Sequence, residues 1–129
     1  MGKKVIHTNN APVPLGPYSQ AIITSGPMVF VSGQIALDPL TGKIIGEGDV
    51  IKQTQQVMAN LEAILITAGS SFTQVVKTTV FLADMNDFAN VNSVYKTYFE
   101  GAASPARVCI QVSRLPKDAL IEIDCIAAI

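Results

Sequence analysis

Ser104-Pro105-Ala106-Arg107-Val108-Cys109-Ile110-Gln111-Val112, followed after a short turn by Ile121-Glu122-Ile123-Asp124, is a pair of alternating segments that reads as two β-strands. Successive side chains on a strand point to opposite faces, so Arg107, Cys109 and Gln111 share one face while Val108, Ile110 and Val112 share the other. The arginine faces either solvent or a site. A planar guanidinium offers a fixed fork that grips a carboxylate or phosphate through two parallel hydrogen bonds, and Glu122 is a group able to orient a water or a proton. Together they read as a small-anion site with a base. The competing reading is an exposed cross-strand ion pair, which contributes about 0–1 kcal/mol. Register separates the two: a hairpin with Cys109 opposite Glu122 puts Arg107 and Glu122 on one face, and a one-residue slip parts them.

Working outward, the final strands Arg107–Ser113 and Leu120–Ala128 flank a turn at Pro116-Lys117-Asp118. Val75–Ala83, rich in β-branched residues, is a further strand. After it, Asn86 or Asp87 caps a helix whose apolar stripe is Phe88, Val91, Tyr95, Tyr98 and Phe99, with Gly101 at its end. A longer amphipathic helix starts after Asp49, carries Val50, Ile51, Val57, Met58, Leu61, Ile64, Leu65 and Ala68 at helical spacing, and stops at Gly69. Nearer the N-terminus, Val5–His7 is a short strand, and Asn9–Pro17, with three prolines, is an irregular loop. Gln20–Thr24 and Met28–Gln34 read as a hairpin around Ser25-Gly26-Pro27. This order predicts an α+β fold: a mixed, mainly antiparallel sheet of about six strands with two helices on one face.

The chain has 129 residues and no break in composition, so it is one domain, able to bury roughly two-thirds of its unfolded surface. Charged residues make up 15%, against about 25% in an ordinary soluble domain, while 49% are hydrophobic. With so few charges, and a second sheet face carrying Val, Ile and Phe, the fold calls for burial against other subunits. A net charge of −1 provides no long-range attraction to nucleic acid or anionic membrane. No segment approaches the ~18–20 apolar residues of a membrane span and no signal peptide is present, so a cytoplasmic protein is expected. Cys109 and Cys125 lack metal-ligand spacing, His7 is the sole histidine, and neither a disulfide nor a metal is expected.

The sequence resembles the RidA family, also called YjgF, of enamine and imine deaminases. The likeness runs through Gly16-Pro17-Tyr18-Ser19-Gln20-Ala21 and Val31-Ser32-Gly33-Gln34-Ile35, and is most specific in Pro105-Ala106-Arg107, Ile110, Leu115 and Ile121-Glu122-Ile123. It implies a homotrimer of chorismate-mutase-like fold, with sheets inward, helices outward and sites in the clefts between subunits. It further implies that Arg107 clamps a substrate carboxylate, that Glu122 positions the attacking water, and that the Cys109 backbone helps hold the ligand. Tyr18, Ser32, Gly33 and Asn92 match positions lining the same cleft, and the resemblance implies that they come to it from the neighbouring subunit. The substrates implied are 2-imino acids such as those derived from 2-aminoacrylate, the products are 2-keto acids and ammonia, and no cofactor or metal is called for.

Each of these residues also has a plain structural reading: Tyr18 closing a loop over the core, Ser32 on a solvent-facing strand, Asn92 on the polar flank of its helix, Cys109 as a small packing residue. Two other functions stand beside deamination. A module binding 2-keto acids would share the Arg107 clamp but gain little from a second carboxylate at Glu122. A translation-inhibiting endoribonuclease, described for some relatives, is poorly served by one histidine and no basic stripe.

Overall fold

The computed structural model describes residues 2–129. Six strands form, divided between a two-stranded sheet and a four-stranded one. β1 (Lys4–Ile6) pairs antiparallel with β2 (Ala21–Ile23). The main sheet contains β3 (Met28–Gln34), β4 (Val75–Leu82), β5 (Ala106–Gln111) and β6 (Ile121–Ala128), in the order β3-β6-β4-β5. β6 runs antiparallel to both β3 and β4, whereas β5 is parallel to β4, so the sheet is mixed and mainly antiparallel. A single parallel bridge, Ser19 to Ala106, links the small sheet to the β5 edge.

Neither expected hairpin forms. β2 and β3 are consecutive but pair with β1 and β6 respectively, and β4 lies between β5 and β6. Turn residues signal a reversal of the chain but leave open which strand lies alongside. Here β6 offers β3 buried partners, Cys125 opposite Val31 and Ala127 opposite Val29, and that burial decides the pairing.

α1 (Val50–Thr67) begins where expected: Asp49 Oδ1 accepts a hydrogen bond from the Lys52 N–H at 3.1 Å. It ends in a paired cap. The Ser70 N–H donates to the Leu65 carbonyl and the Gly69 N–H to the Ile66 carbonyl, with Gly69 at φ 82°. α2 is shorter than its apolar stripe, running Phe88–Tyr95 and continuing as a 3-10 turn over Lys96–Phe99. Asp87 stands at its N-cap position but makes no capping hydrogen bond with its side chain. Asp84 caps a preceding 3-10 turn, Met85–Asp87, by accepting from the Asn86 N–H at 2.9 Å, and the helix grows from that turn.

Both helices lie on the sheet face that carries Val31, Val80, Leu82, Ile121, Ile123 and Cys125, and the core fills with Val57, Met58, Leu61, Leu65, Val91 and Tyr95. The opposite face is open. Phe30 is 69% exposed, and Met28, Val108 and Ile110 are exposed beside it. Exposed apolar side chains on an open sheet face are a feature of surfaces that associate with another chain.

The cap geometry generates a prediction. Gly69→Ala places a Cβ in the left-handed region and should lower unfolding stability by about 1–2 kcal/mol, read from urea denaturation at fixed protein concentration. An unchanged midpoint would mean that the helix end is not held in this way.

Candidate active site

Strand register resolves the question left open by the sequence. Thr78 pairs with Arg107 on one side and Cys125 on the other, and Val80 pairs likewise with Cys109 and Ile123. Arg107 and Cys109 therefore share the helix-covered face. Glu122 pairs with Phe81, which also pairs with Ile110, on the open face. Within one chain the arginine and the glutamate are on opposite sides of the sheet, and no ion pair joins them. The single salt bridge among the described residues is the exposed Arg114–Asp118 pair.

Arg107 is half-buried and closely held. Its Nη1 donates to Asn92 Oδ1 at 2.6 Å, and its Cζ lies 5.0 Å from the Tyr95 ring centroid, 5.5 Å from Phe88 and 6.0 Å from Tyr18. Phe88, Asn92 and Tyr95 recur along α2 at the spacing that brings side chains onto one face, and that face overlies β5. Tyr18 arrives from the loop before β2, which is tied to the approach to β5: the Ser19 N–H donates to the Pro105 carbonyl at 3.1 Å and Ser19 Oγ to the Ser104 carbonyl at 2.5 Å. Lys3 Nζ also donates to the Ala103 carbonyl at 2.6 Å, and burial lowers its pKa. An open pocket of ≈450 Å³ beside the arginine is lined by Tyr18, Ser19, Val76, Arg107 and Val108. A slightly larger one, ≈500 Å³, lies among Asp49, Asp84 and Asp87 and shares none of these residues; its carboxylates suit no anion.

None of the groups around Arg107 is negatively charged. Rings and a neutral amide orient the guanidinium without cancelling its charge, leaving it free to engage an anion. Cys109, on the same strand face, is a free thiol whose pKa is raised by burial and drawn partly back by Arg107. A thiol so placed remains protonated and is no nucleophile. Since β5 is the sheet edge, its outward backbone groups have no neighbouring strand in the main sheet beyond the bridge at Ala106.

The second group of residues lies across the sheet. Between Val31, paired with Cys125, and Gln34, paired with Ile123, two residues, Ser32 and Gly33, oppose the single Asp124. This bulge exposes both of them and brings the Gly33 backbone against the Glu122 side chain. A Cβ at Gly33 would overlap Glu122 Oε2 and stand 2.8 Å from Cδ, so only glycine allows the carboxylate to lie over β3.

The site residues read from the sequence thus form two clusters: Arg107, Asn92, Tyr18 and Cys109 on one face, Glu122, Ser32 and Gly33 on the other. Tyr18 and Asn92, expected from a neighbouring subunit, lie against Arg107 of their own chain, because the loop before β2 is tied to β5 and α2 packs over it. Phe88 and Tyr95, both expected in the buried stripe of α2, also face Arg107; Tyr95 is buried, whereas Phe88 is exposed because it sits at the start of the helix beside the cleft. Their helical spacing with Asn92 was the available signal. Asn92 itself is half-buried and bonded to Arg107, not solvated on a polar flank.

The family model described as Endoribonuclease L-PSP matches residues 8–129. The chain belongs to the Rid (RidA/YjgF) family. A RutC family protein of Synechocystis is 57% identical over 129 residues, covering 100% of this chain and 98% of that protein. The mouse protein named 2-iminobutanoate/2-iminopropanoate deaminase is 49% identical over 125 residues, covering 97% and 90%. Among solved structures, Escherichia coli TdcF with bound serine superposes with a TM-score of 0.76 at 46% identity, covering 98% of each chain. The α+β fold expected of a Rid protein is the fold observed.

The Gly33 contact yields a test specific to this Rid site. Because the clash falls on the end of a flexible side chain, Gly33→Ala should fold with near-native stability while swinging the Glu122 carboxylate off β3. A crystal structure of the variant checks this; an unmoved carboxylate would show that the bulge does not depend on glycine.

Proposed function

We propose that this chain hydrolyses 2-imino acids, such as 2-iminopropanoate and 2-iminobutanoate, to 2-keto acids and ammonia in the cytoplasm. The site is completed in a homotrimer, where the Arg107 cluster of one subunit meets the Glu122 cluster of the next. The observation that carries this reading is the half-buried guanidinium oriented entirely by neutral partners, which is what recognition of a small carboxylate requires. The relatives named as deaminases support it, and so does the serine bound to a structural neighbour, since serine bears a carboxylate at the carbon adjoining its nitrogen. The open apolar face supports association, because it also bears Glu122 and needs cover.

The chemistry is undemanding. Arg107 takes the substrate carboxylate through two parallel hydrogen bonds, Asn92 and Tyr18 fix the fork, and the Cys109 backbone adds to the grip. Glu122 aims a water at the imine carbon. The water oxygen bonds to that carbon, its proton passes by way of Glu122 to the nitrogen, and the C=N double bond becomes single. The hydroxyl proton of the resulting 2-amino-2-hydroxy acid is then passed to its nitrogen, the carbon–nitrogen bond breaks, ammonia leaves with that bond's electron pair, and the oxygen becomes the keto oxygen. Ser32 and the Gly33 backbone line the water side of the cleft. No covalent enzyme intermediate is needed. A keto-acid sensor would use the Arg107 cluster alone, and the carboxylate held over the Gly33 bulge favours the hydrolytic reading.

In the coupled assay, a dehydratase supplies the imine from serine or threonine and the keto acid is followed. Arg107→Lys, which retains the charge but loses the fork, should reduce turnover about ten- to a hundredfold with unchanged circular dichroism. Unchanged kinetics would remove Arg107 from the site. Glu122→Gln should abolish most turnover while binding of 2-oxobutanoate, measured by calorimetry, persists; equal loss of both would make the carboxylate structural. Sedimentation equilibrium should return about three chain masses. Each of these two variants is expected to be poorly active alone, and refolding them together should restore activity through subunits that pair an intact Arg107 with an intact Glu122. No restoration would place the whole site within one subunit.

A further inference from the structure

Beneath Arg107 the core contains a polar contact that the reaction does not use directly. Tyr95 is fully buried, and its hydroxyl lies 2.8 Å from Thr78 Oγ1, itself 2% exposed. Thr78 is the residue paired with Arg107 across β4 and β5, so the hydroxyl pair spans from α2 to the strand position directly beside the arginine. Tyr95 is braced on its other side by Phe99, with ring centroids 4.9 Å apart, and Phe99 by Phe72 at 5.5 Å. With its hydroxyl end and its ring both held, Tyr95 cannot turn independently of the sheet.

We infer that Tyr95, locked by Thr78, is a positioning residue that sets the plane of the Arg107 guanidinium for two-pronged carboxylate binding. The inference rests on the carboxylate-binding role proposed for Arg107. The hydroxyl pair satisfies two buried polar groups with each other, so the tyrosine contributes a fixed aromatic surface 5.0 Å from Cζ. Burial, acting against the nearby Arg107, pushes the phenol up to about 12, so the ring remains neutral and does not neutralise the arginine. An arginine on an unbraced ring would keep its charge and its bond to Asn92, but the plane of its fork would be free to rock about that bond. Its deficit would then appear in carboxylate affinity, through geometry.

Tyr95→Phe keeps the ring and removes the lock; because it also strands the Thr78 hydroxyl, the double variant Thr78→Val/Tyr95→Phe is made alongside, removing both polar groups together. Each is measured by calorimetric binding of 2-oxobutanoate and by the coupled assay, alone and in the Arg107→Lys background. The expected result is a dissociation constant and a KM raised about three- to tenfold with kcat changed little, and no further loss where lysine already replaces the arginine. Losses that add fully in the Arg107→Lys background, or that follow thermal stability and not affinity, would overturn the inference and leave Tyr95 a core residue. Because binding is read independently of turnover, a protein that binds 2-oxobutanoate with this dependence on the lock yet releases no keto acid would sustain the inference while overturning the deaminase reading. Wild-type affinity in the double variant would overturn the inference whatever the turnover.

Discussion

The placement of β4 between β5 and β6 is the constraint on which the rest of this molecule depends. Strand pairing fixes side-chain parity, and through Thr78, Val80 and Phe81 that parity assigns Arg107 to one face and Glu122 to the other. Had β5 and β6 formed the hairpin their turn suggests, the two could have met within one subunit. The core adopts the other solution because the inserted strand brings Val80 and Leu82, both fully buried, to the centre of the helix-covered face. Burial of apolar surface outweighs the small gain from an exposed ion pair, and a divided site is the result.

The same preference for neutral surroundings recurs around the arginine. A carboxylate beside Arg107 would hold it more firmly than three rings and an amide do, but it would occupy the position an incoming anion needs. Aromatic faces and the Asn92 carbonyl orient the cation while leaving most of its charge available. Across the sheet, the bulge at Ser32 and Gly33 does the corresponding work for Glu122, clearing space so that the carboxylate lies against backbone.

What was legible in the sequence was local. Asp49 as a cap, Gly69 as a terminator and the alternation of Arg107 through Gln111 are consequences of neighbouring residues and are found in the structure; of the apolar helical positions, Val57, Met58, Leu61, Leu65, Val91 and Tyr95 are buried, while Ile51, Ile64 and Phe88 are exposed. Strand partnership is not local. Pro116-Lys117-Asp118 and Ser25-Gly26-Pro27 mark reversals, and neither carries information about which distant strand best buries the residues that follow. Asn92 shows the same limit: its partner is on β5, reached only after folding, so by residue type and position alone it looks solvated, and only the family resemblance pointed to the cleft. The resemblance to the Rid family named the groups around Arg107 and Glu122, but their separation by the sheet could be seen only in the register.

The order β3-β6-β4-β5 also has a bearing on how the chain can be made. The last of the six strands in chain order, β6, is an interior strand, flanked on both sides by segments completed long before it. Until Ile121–Ala128 has left the ribosome, β3 and β4 have no partner between them, and helices assembled early have only half a sheet to rest on. Vectorial synthesis can therefore prepare α1 and its cap but cannot close the core by stages, so the sheet must form as one late event across a long sequence separation. Deletion of Ile121–Ala128 would accordingly cost far more than a frayed end: it would remove the strand that holds β3 to the β4–β5 pair.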